Sequence, residues 1–371
     1  MDKKHDQLLI WGVYPKDEGY PNVVYRIEEL ANHFELREVN CPIWNYTAVH
    51  RRKINRVLIS HVIVSWQYLW TRYSGRLIYI PYPAVFLLFF LSLLPKFLSY
   101  KWIVADVFIS LYDTIVNDRK LLSPRSISAR ILHWIEARAY RIASVIVTDT
   151  LPNAEFLRHE FNLTANQIVA IPLSTNEKLF FPREYFAQSK VCRVLFIGTF
   201  IPLHGVEYLA ETIIILRERT NIQFTVIGDG QETQLFSRIL SNYAPQLKWI
   251  REWQPAQRLA EEITQADICL GIFGNSAKAQ RVCPLKIYAY AAVGRAIITG
   301  DTQWLRTEGG SDFFSVVPTA NSLALADQIV ALANQPRTRE QLAIRSRQFY
   351  ETKLSNSIAR NALLRCFPQR K

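Results

Sequence analysis

The chain alternates short apolar runs with stretches whose apolar positions recur every three or four residues. Short runs bounded by polar or turn residues predict strands buried on both faces, and the 3.6-residue spacing predicts helices laid over them. In the first half, Leu8–Gly12, Lys101–Val107, Ser144–Thr148 and Ile168–Pro172 read as strands, with helical spacing over Val23–His33 and Ser128–Arg141. The second half repeats the pattern more cleanly. Strands fall at Arg193–Ile197, Phe224–Ile227, Lys248–Ile250, Ile268–Ile272 and Ala296–Thr299. Helices fall at Gly205–Arg217, Glu232–Leu240, Gln257–Gln265, Pro284–Val293, Ser322–Asn334, Arg339–Leu354 and Asn356–Cys366. Such alternation predicts an α/β protein with parallel, doubly wound sheets, and two sets of it predict two Rossmann-like domains facing across a cleft. The break falls in 175–190, a polar and aromatic stretch. A first domain over 1–174, a linker over 175–190, a second domain over 191–350 and a C-terminal helix in 351–371 packing back on the first domain are expected. Ligand is expected in the cleft, at the C-terminal ends of the strands.

Length agrees with two domains: 371 residues exceed what one core usually serves. Charge adds a partner class. Forty-four Lys and Arg against 32 Asp and Glu give a net +12, which suits a partner carrying phosphate or anionic lipid. The five cysteines, Cys41, Cys192, Cys269, Cys283 and Cys366, form no C-x-x-C pair, so neither a zinc site nor a disulfide framework is signalled. The apolar run Leu8–Tyr14 is too short and wrongly flanked for a signal peptide. A cytoplasmic protein is expected, held peripherally at the inner face of a membrane on one reading.

That reading comes from 84–94, AVFLLFFLSLL, bracketed by Pro83 and Pro95. Eleven helical residues cover roughly 16 Å, about half a bilayer core, so the segment is either buried or dipped into an interface. Around it, from residue 39 to 105, there is no acid, but there are eight cations: Arg51, Arg52, Lys53, Arg56, Arg72, Arg76, Lys96 and Lys101. Aromatic residues are interleaved with them. Residues 51–105 therefore suit an anionic membrane surface, or else a core helix beside a solvated basic face. Nucleic acid is the weaker alternative.

No G-x-G-x-x-G, Walker A loop, H-E-x-x-H or G-x-S-x-G occurs, and no histidine has metal-ligand spacing. This points away from dehydrogenases, P-loop enzymes, zinc hydrolases and serine hydrolases; neither a metal nor a cofactor is expected. The informative stretch is 268–301, ICLGIFGNSAKAQRVCPLKIYAYAAVGRAIITGD. A strand ends at Phe273-Gly274, and a loop carries Lys278 and Arg281. Pro284 then opens a helix through Leu285, with Lys286 in its first turn and Tyr290 one turn on. A cation there opposes the helix dipole, which makes sense if an anion shares the site. Two further loops support it: Gly198-Thr199, continuing to His204-Gly205, and Gly228-Asp229-Gly230. A solvated basic loop is the alternative for the first, and ordinary turn chemistry for the last.

These stretches resemble the donor domain of GT-B glycosyltransferases of the retaining group called family 4. The carrying motifs are VLFIGTFIPLHGVEYL, FTVIGDGQE and the 268–301 segment. In the first half, LLIWGVYPKDEGYPNVVYRIEELA, DVFISLYDTIVNDR and RIASVIVTDT are similar to the acceptor domain. The family's E-x7-E pair would fall at Arg281 and Ala289, neither a carboxylate. The phosphate-binding Lys of its glycine loop corresponds to His204.

The resemblance implies transfer of a sugar from a nucleoside-diphosphate sugar to the hydroxyl of a glycan, glycolipid or lipid-linked acceptor, with retention and without metal. Arg281 and Lys286 would stabilise the leaving diphosphate, with Lys278 beside them. Gly12 and Gly19 would let the first loop approach it. Asp106 and Asp113 would orient the acceptor hydroxyl, with Asn22, Ser110, Asp149 and Thr150 on the acceptor side; helix capping is the alternative for these acids. A silent GT-B scaffold that binds without turnover, or a sugar-nucleotide epimerase, remains the competing reading.

Overall fold

The computed structural model describes residues 6–14, 16, 21–41, 52–71, 73–95, 101–183, 191–240 and 244–368. Gly19 and the end of the expected linker, 184–190, lie outside them. The chain divides into two compact units, one made of 1–174 with 356–371 and the other of 175–355.

The first unit is built on β1 (Gln7–Gly12), α1 (Pro21–Ala31), β2 (Glu35–Asn40), α2 (Arg52–Trp70), β3 (Leu77–Ile80), α3 (Val85–Leu93), β4 (Trp102–Asp106), a π-helical turn (Asp113–Asp118), α4 (Ile127–Tyr140), β5 (Val145–Thr148), α5 (Leu151–Glu160) and β6 (Ile168–Ala170). Its six strands run parallel in the order β2-β1-β3-β4-β5-β6. One core gathers Trp11, Val64, Leu88, Ile103 and Phe161, and so joins α2, α3 and α5 to one face of the sheet. A second core covers the other face with Val23 and Leu30 of α1 and with Ala359, Leu363, Cys366 and Phe367 from the returning tail.

The second unit comprises β7 (Cys192–Ile197), α6 (Val206–Ile215), β8 (Ile222–Ile227), α7 (Thr233–Leu240), β9 (Leu247–Ile250), α8 (Ala256–Gln265), β10 (Ile268–Leu270), α9 (Ala277–Arg281), α10 (Leu285–Val293), β11 (Ala296–Gly300), α11 (Gln303–Thr307), β12 (Ser315–Val317), α12 (Ser322–Ala333) and α13 (Pro336–Phe349), closed by a π-helical turn (Tyr350–Leu354). The tail helix α14 (Asn356–Leu364) belongs to the first unit. The second sheet is also six-stranded and parallel, in the order β12-β11-β10-β7-β8-β9. Chain order reverses between β7 and β10, where the crossovers leave in opposite directions and the loops part.

The structure adds elements that the pattern did not predict. β2 and β12 are edge strands, and the polar, half-exposed Glu35–Asn40 shows no apolar run. The stretch expected as a loop around Lys278 and Arg281 is α9, a short helix whose cap Ser276 accepts from the Ala279 N–H at 3.1 Å. The 84–94 segment is mainly core. Val85, Leu87, Leu88 and Leu91 are buried, each contributing about 1.5–3 kcal/mol before entropy, and only Leu93 is well exposed. Among the described residues no helix is long and apolar enough to cross a membrane.

Candidate functional site

In the second unit the loops after β7 and β10 meet where the strand order reverses. The β7 loop runs from Gly198 through a 3-10 turn, Pro202–His204, to Gly205. Gly205 has φ +63°, and a Cβ there would stand 2.4 Å from the Gly274 amide nitrogen. Only glycine lets the two loops touch at this point. The third loop is locked to the first: the Phe200 N–H donates to the Asp229 carbonyl at 3.0 Å, and a Cβ on Gly228 would stand 1.9 Å from the Gly198 carbonyl oxygen. Gly198 is partly open and Thr199 exposed, so this cradle presents backbone to solvent.

Lys286 lies directly beneath. α10 begins at Leu285 with Pro284 as its cap, and no side chain caps its first N–H groups. Lys286 Nζ donates to the Gly271 carbonyl at 3.2 Å and stands 3.7 Å from the centroid of the Phe196 ring. A Cβ on Gly198 would come within 2.8 Å of it. Burial pushes its amine well below the ordinary lysine range, and no carboxylate among the described residues offsets that. A buried ammonium held by one carbonyl and one ring face is under-compensated, and an anion at Gly198 would complete it.

His204 is buried against the same ammonium. Its Nδ1–H donates to the Thr199 carbonyl. Burial first, and then Lys286, hold it well below the usual imidazole range. His204 is thus a neutral ring that shapes the loop. Lys278 and Arg281 are buried on α9, which packs against the Pro202–His204 turn.

Several residues expected at the ligand also hold the scaffold together. The Tyr290 hydroxyl is fully buried and accepts from the Ile197 N–H at 2.9 Å. Phe273 is buried, its N–H donating to the His204 carbonyl at 3.1 Å and its carbonyl accepting from Ala320 at 2.8 Å. Asp229 accepts from the Gly230 N–H at 3.0 Å, from Thr233 and, through both oxygens at 3.3 Å, from Arg251. Burial would raise its carboxyl, but these donors outweigh that and lower it.

The first unit treats its candidates differently. Asp106 is wholly buried and forms an ion pair with Arg26, while Tyr79 donates to the same oxygen at 3.3 Å and Asn22 at 3.5 Å. Arg26 spends its other nitrogen on the Ile171 and Pro172 carbonyls, both at 3.2 Å, and Asn22 accepts from the Ser174 N–H at 3.0 Å. Asp106, expected to orient an acceptor, fastens α1 to the sheet through these contacts. Asp113 is buried in the π-helical turn and accepts from Asn117 at 3.2 Å. Thr150 caps α5, and Asp149 accepts from Asn153 at 2.7 Å, as helix-capping chemistry requires. Gly12 sits where strand order reverses in this sheet, and a Cβ there would meet the Tyr14 ring at 2.7 Å.

Glu136 escaped the sequence reading. It is fully buried and accepts from Ser110 at 2.8 Å, Tyr140 at 2.6 Å, and the Leu111 and Tyr112 N–H groups at 2.8 and 2.9 Å. Burial nonetheless raises its carboxyl above the usual range. One acid inside an otherwise ordinary helical pattern gives no signal of this. Among the described residues no three His, Cys, Asp or Glu side chains are grouped to hold a metal ion.

Residues 191–335 match the family model described as glycosyl transferases group 1. No curated protein matches the sequence. Solved structures share the whole fold. A sucrose-phosphate synthase from Thermosynechococcus elongatus superposes with TM-score 0.71 at 15% identity, over 97% of this chain and 98% of that one. Anabaena HepE, solved with UDP-glucose, gives 0.67 at 11% identity over 97% and 99%. WaaG, described as a glycosyltransferase involved in lipopolysaccharide biosynthesis, gives 0.66 at 12% over 98% and 100%. Two parallel sheets in this order, superposing over nearly the whole chain, give the protein the GT-B fold of these structures, and residues 191–335 of its second unit match the glycosyl transferases group 1 model.

Proposed function

We propose that the protein moves a sugar from a nucleoside-diphosphate sugar to an acceptor hydroxyl, and that the Lys286 end of the second unit holds the diphosphate. The observation that carries this is the buried Lys286 ammonium, without a carboxylate partner among the described residues, under a glycine loop and in the uncapped first turn of α10. As the sugar–phosphate bond breaks, negative charge grows on the leaving diphosphate. A fixed cation and free N–H groups stabilise that charge without rearrangement. UDP is the first nucleotide to try, because HepE is seen with UDP and UDP-glucose.

Retention of the anomeric configuration, independence of metal and a lipid-linked or glycolipid acceptor belong to the same proposal. Product NMR, turnover in EDTA, and lipid against truncated soluble acceptors test them in turn. The carrying experiment is thermal shift with UDP, GDP, CDP, ADP and TDP, followed by slow donor hydrolysis. At least one nucleotide is expected to raise the Tm of the wild type and not that of Lys286→Met. An equal shift in the variant would place the diphosphate elsewhere.

A second reading has its own support. Arg281 and Ala289 stand where the family's carboxylate pair falls, and Asp106 is closed into an ion pair. A nucleotide shift without hydrolysis or transfer would make the protein a binding scaffold.

A further inference from the structure

α2 has its polarity reversed. The face toward the sheet carries Ser60, His61, Val64 and Ser65, all buried, and the Trp11 indole N–H donates to the Val64 carbonyl at 3.1 Å. The outward face carries Ile59, Val62, Ile63, Trp66, Leu69 and Trp70, with exposures of 69% at Val62, 62% at Trp66 and 70% at Trp70. This is a continuous helical stripe of large apolar side chains in water, where a soluble helix places polar ones. α4, which packs on α3 beside α2, repeats it: Ile127, Ile131 and Trp134, one and two turns apart, are 75%, 52% and 54% exposed.

Charge selects the occupant. α2 contains no acid, and its sequence carries three cations, Arg52, Lys53 and Arg56. The single acid of α4, Glu136, is buried, while Arg130 and Arg138 are exposed. A second copy of this face would oppose cation to cation, which disfavours self-pairing. A polyanionic nucleic acid would use the aromatic rings and cations but leave Ile59, Val62, Ile63 and Leu69 in water. An anionic bilayer surface uses all three at once, taking aliphatic groups below the headgroups, indoles among them and cations at the phosphates.

We infer that the outer surface of α2 and α4 is a membrane-docking face for anionic lipid. α2, about 28 Å long, lies in the plane of the interface rather than across the bilayer. This moves the lipid contact from the 84–94 segment, which is core, to the helix before it. It deepens the lipid-acceptor proposal, resting on that reading only for its purpose.

The test is co-sedimentation of the full chain with phosphatidylcholine vesicles, with and without phosphatidylglycerol, alongside indole fluorescence. Binding is expected only with phosphatidylglycerol, with a blue shift and weakening at high salt. The double variant Trp66→Ser, Trp70→Ser is expected to bind at least about tenfold more weakly while keeping its UDP thermal shift. No binding by the wild type, or equal binding by the double variant, overturns the inference. So does a lipid-free dimer that the double variant abolishes, which assigns the face to a second copy. Failure of the UDP shift with vesicle binding intact would count against sugar transfer and leave the docking face standing.

Discussion

Asp106 and Lys286 are both charged groups taken out of water, one in each unit, and the protein treats them in opposite ways. Asp106 is met by Arg26, Tyr79 and Asn22. Lys286 is met by one carbonyl and the face of a ring. Asp106 takes all three on one oxygen, its other left buried without a partner, but the opposite charge beside it makes the pair architecture. A charge left short of partners, under a loop kept bare by glycine, is held at a cost that a bound anion would offset. The contrast separates scaffold from site better than residue type does, since an acid and a lysine were equally plausible site residues in the sequence.

The largest expected effect breaks the closed side. Asp106→Ala leaves the Arg26 guanidinium buried and unpaired, and should lower unfolding stability in urea by about 3–5 kcal/mol. A loss under about 1 kcal/mol would show that Arg26 finds water and that the pair is not structural. On the open side the sign reverses. Lys286→Met replaces an under-compensated ammonium with an apolar chain of similar length, and should raise the stability of the nucleotide-free protein by about 1–4 kcal/mol. A destabilised variant would mean that the lysine already has all the partners it needs.

Gly228→Ala sharpens the comparison through the loop. Its methyl would press on the Gly198 carbonyl, with an expected cost of about 1–3 kcal/mol and a weaker nucleotide shift, both read by thermal denaturation. The smallest effect is a pH slope. The folded value of His204 is depressed below 6.5, so as pH falls the unfolded chain takes up that proton first. Stability should therefore fall as pH drops below 6.5, by up to about 1.4 kcal/mol per unit from this group, and His204→Asn should flatten that share.

Much of the fold was legible because parallel strands buried on both faces read as plain apolar runs; β1, β4, β5, β7, β8, β10 and β11 all showed in this way. β2 and β12, two of the edges, did not, and neither did the central, fully buried β3, whose four residues are too short a run. α2 hid for a different reason: its period is helical, but its apolar side faces water, and its basic and aromatic residues read as surface. At the site, Pro284 and the dipole argument located Lys286 correctly at the start of α10. The Arg26–Asp106 pair was illegible, since eighty residues separate its members and nothing local links them. Glu136 was illegible because three of its four donors come from Ser110, Leu111 and Tyr112, more than twenty residues away.

The returning tail sets an order of assembly. Residues 356–368 supply Ala359, Leu363 and Phe367 to the core of the first unit, and the Cys366 carbonyl accepts from the Trp102 indole at 2.7 Å. On the ribosome the first unit therefore waits for a stretch of chain made after the whole of the inserted unit. Until the tail emerges, the α1 face of the earlier sheet is left partly bare, and that interval is when the nascent chain most needs a chaperone.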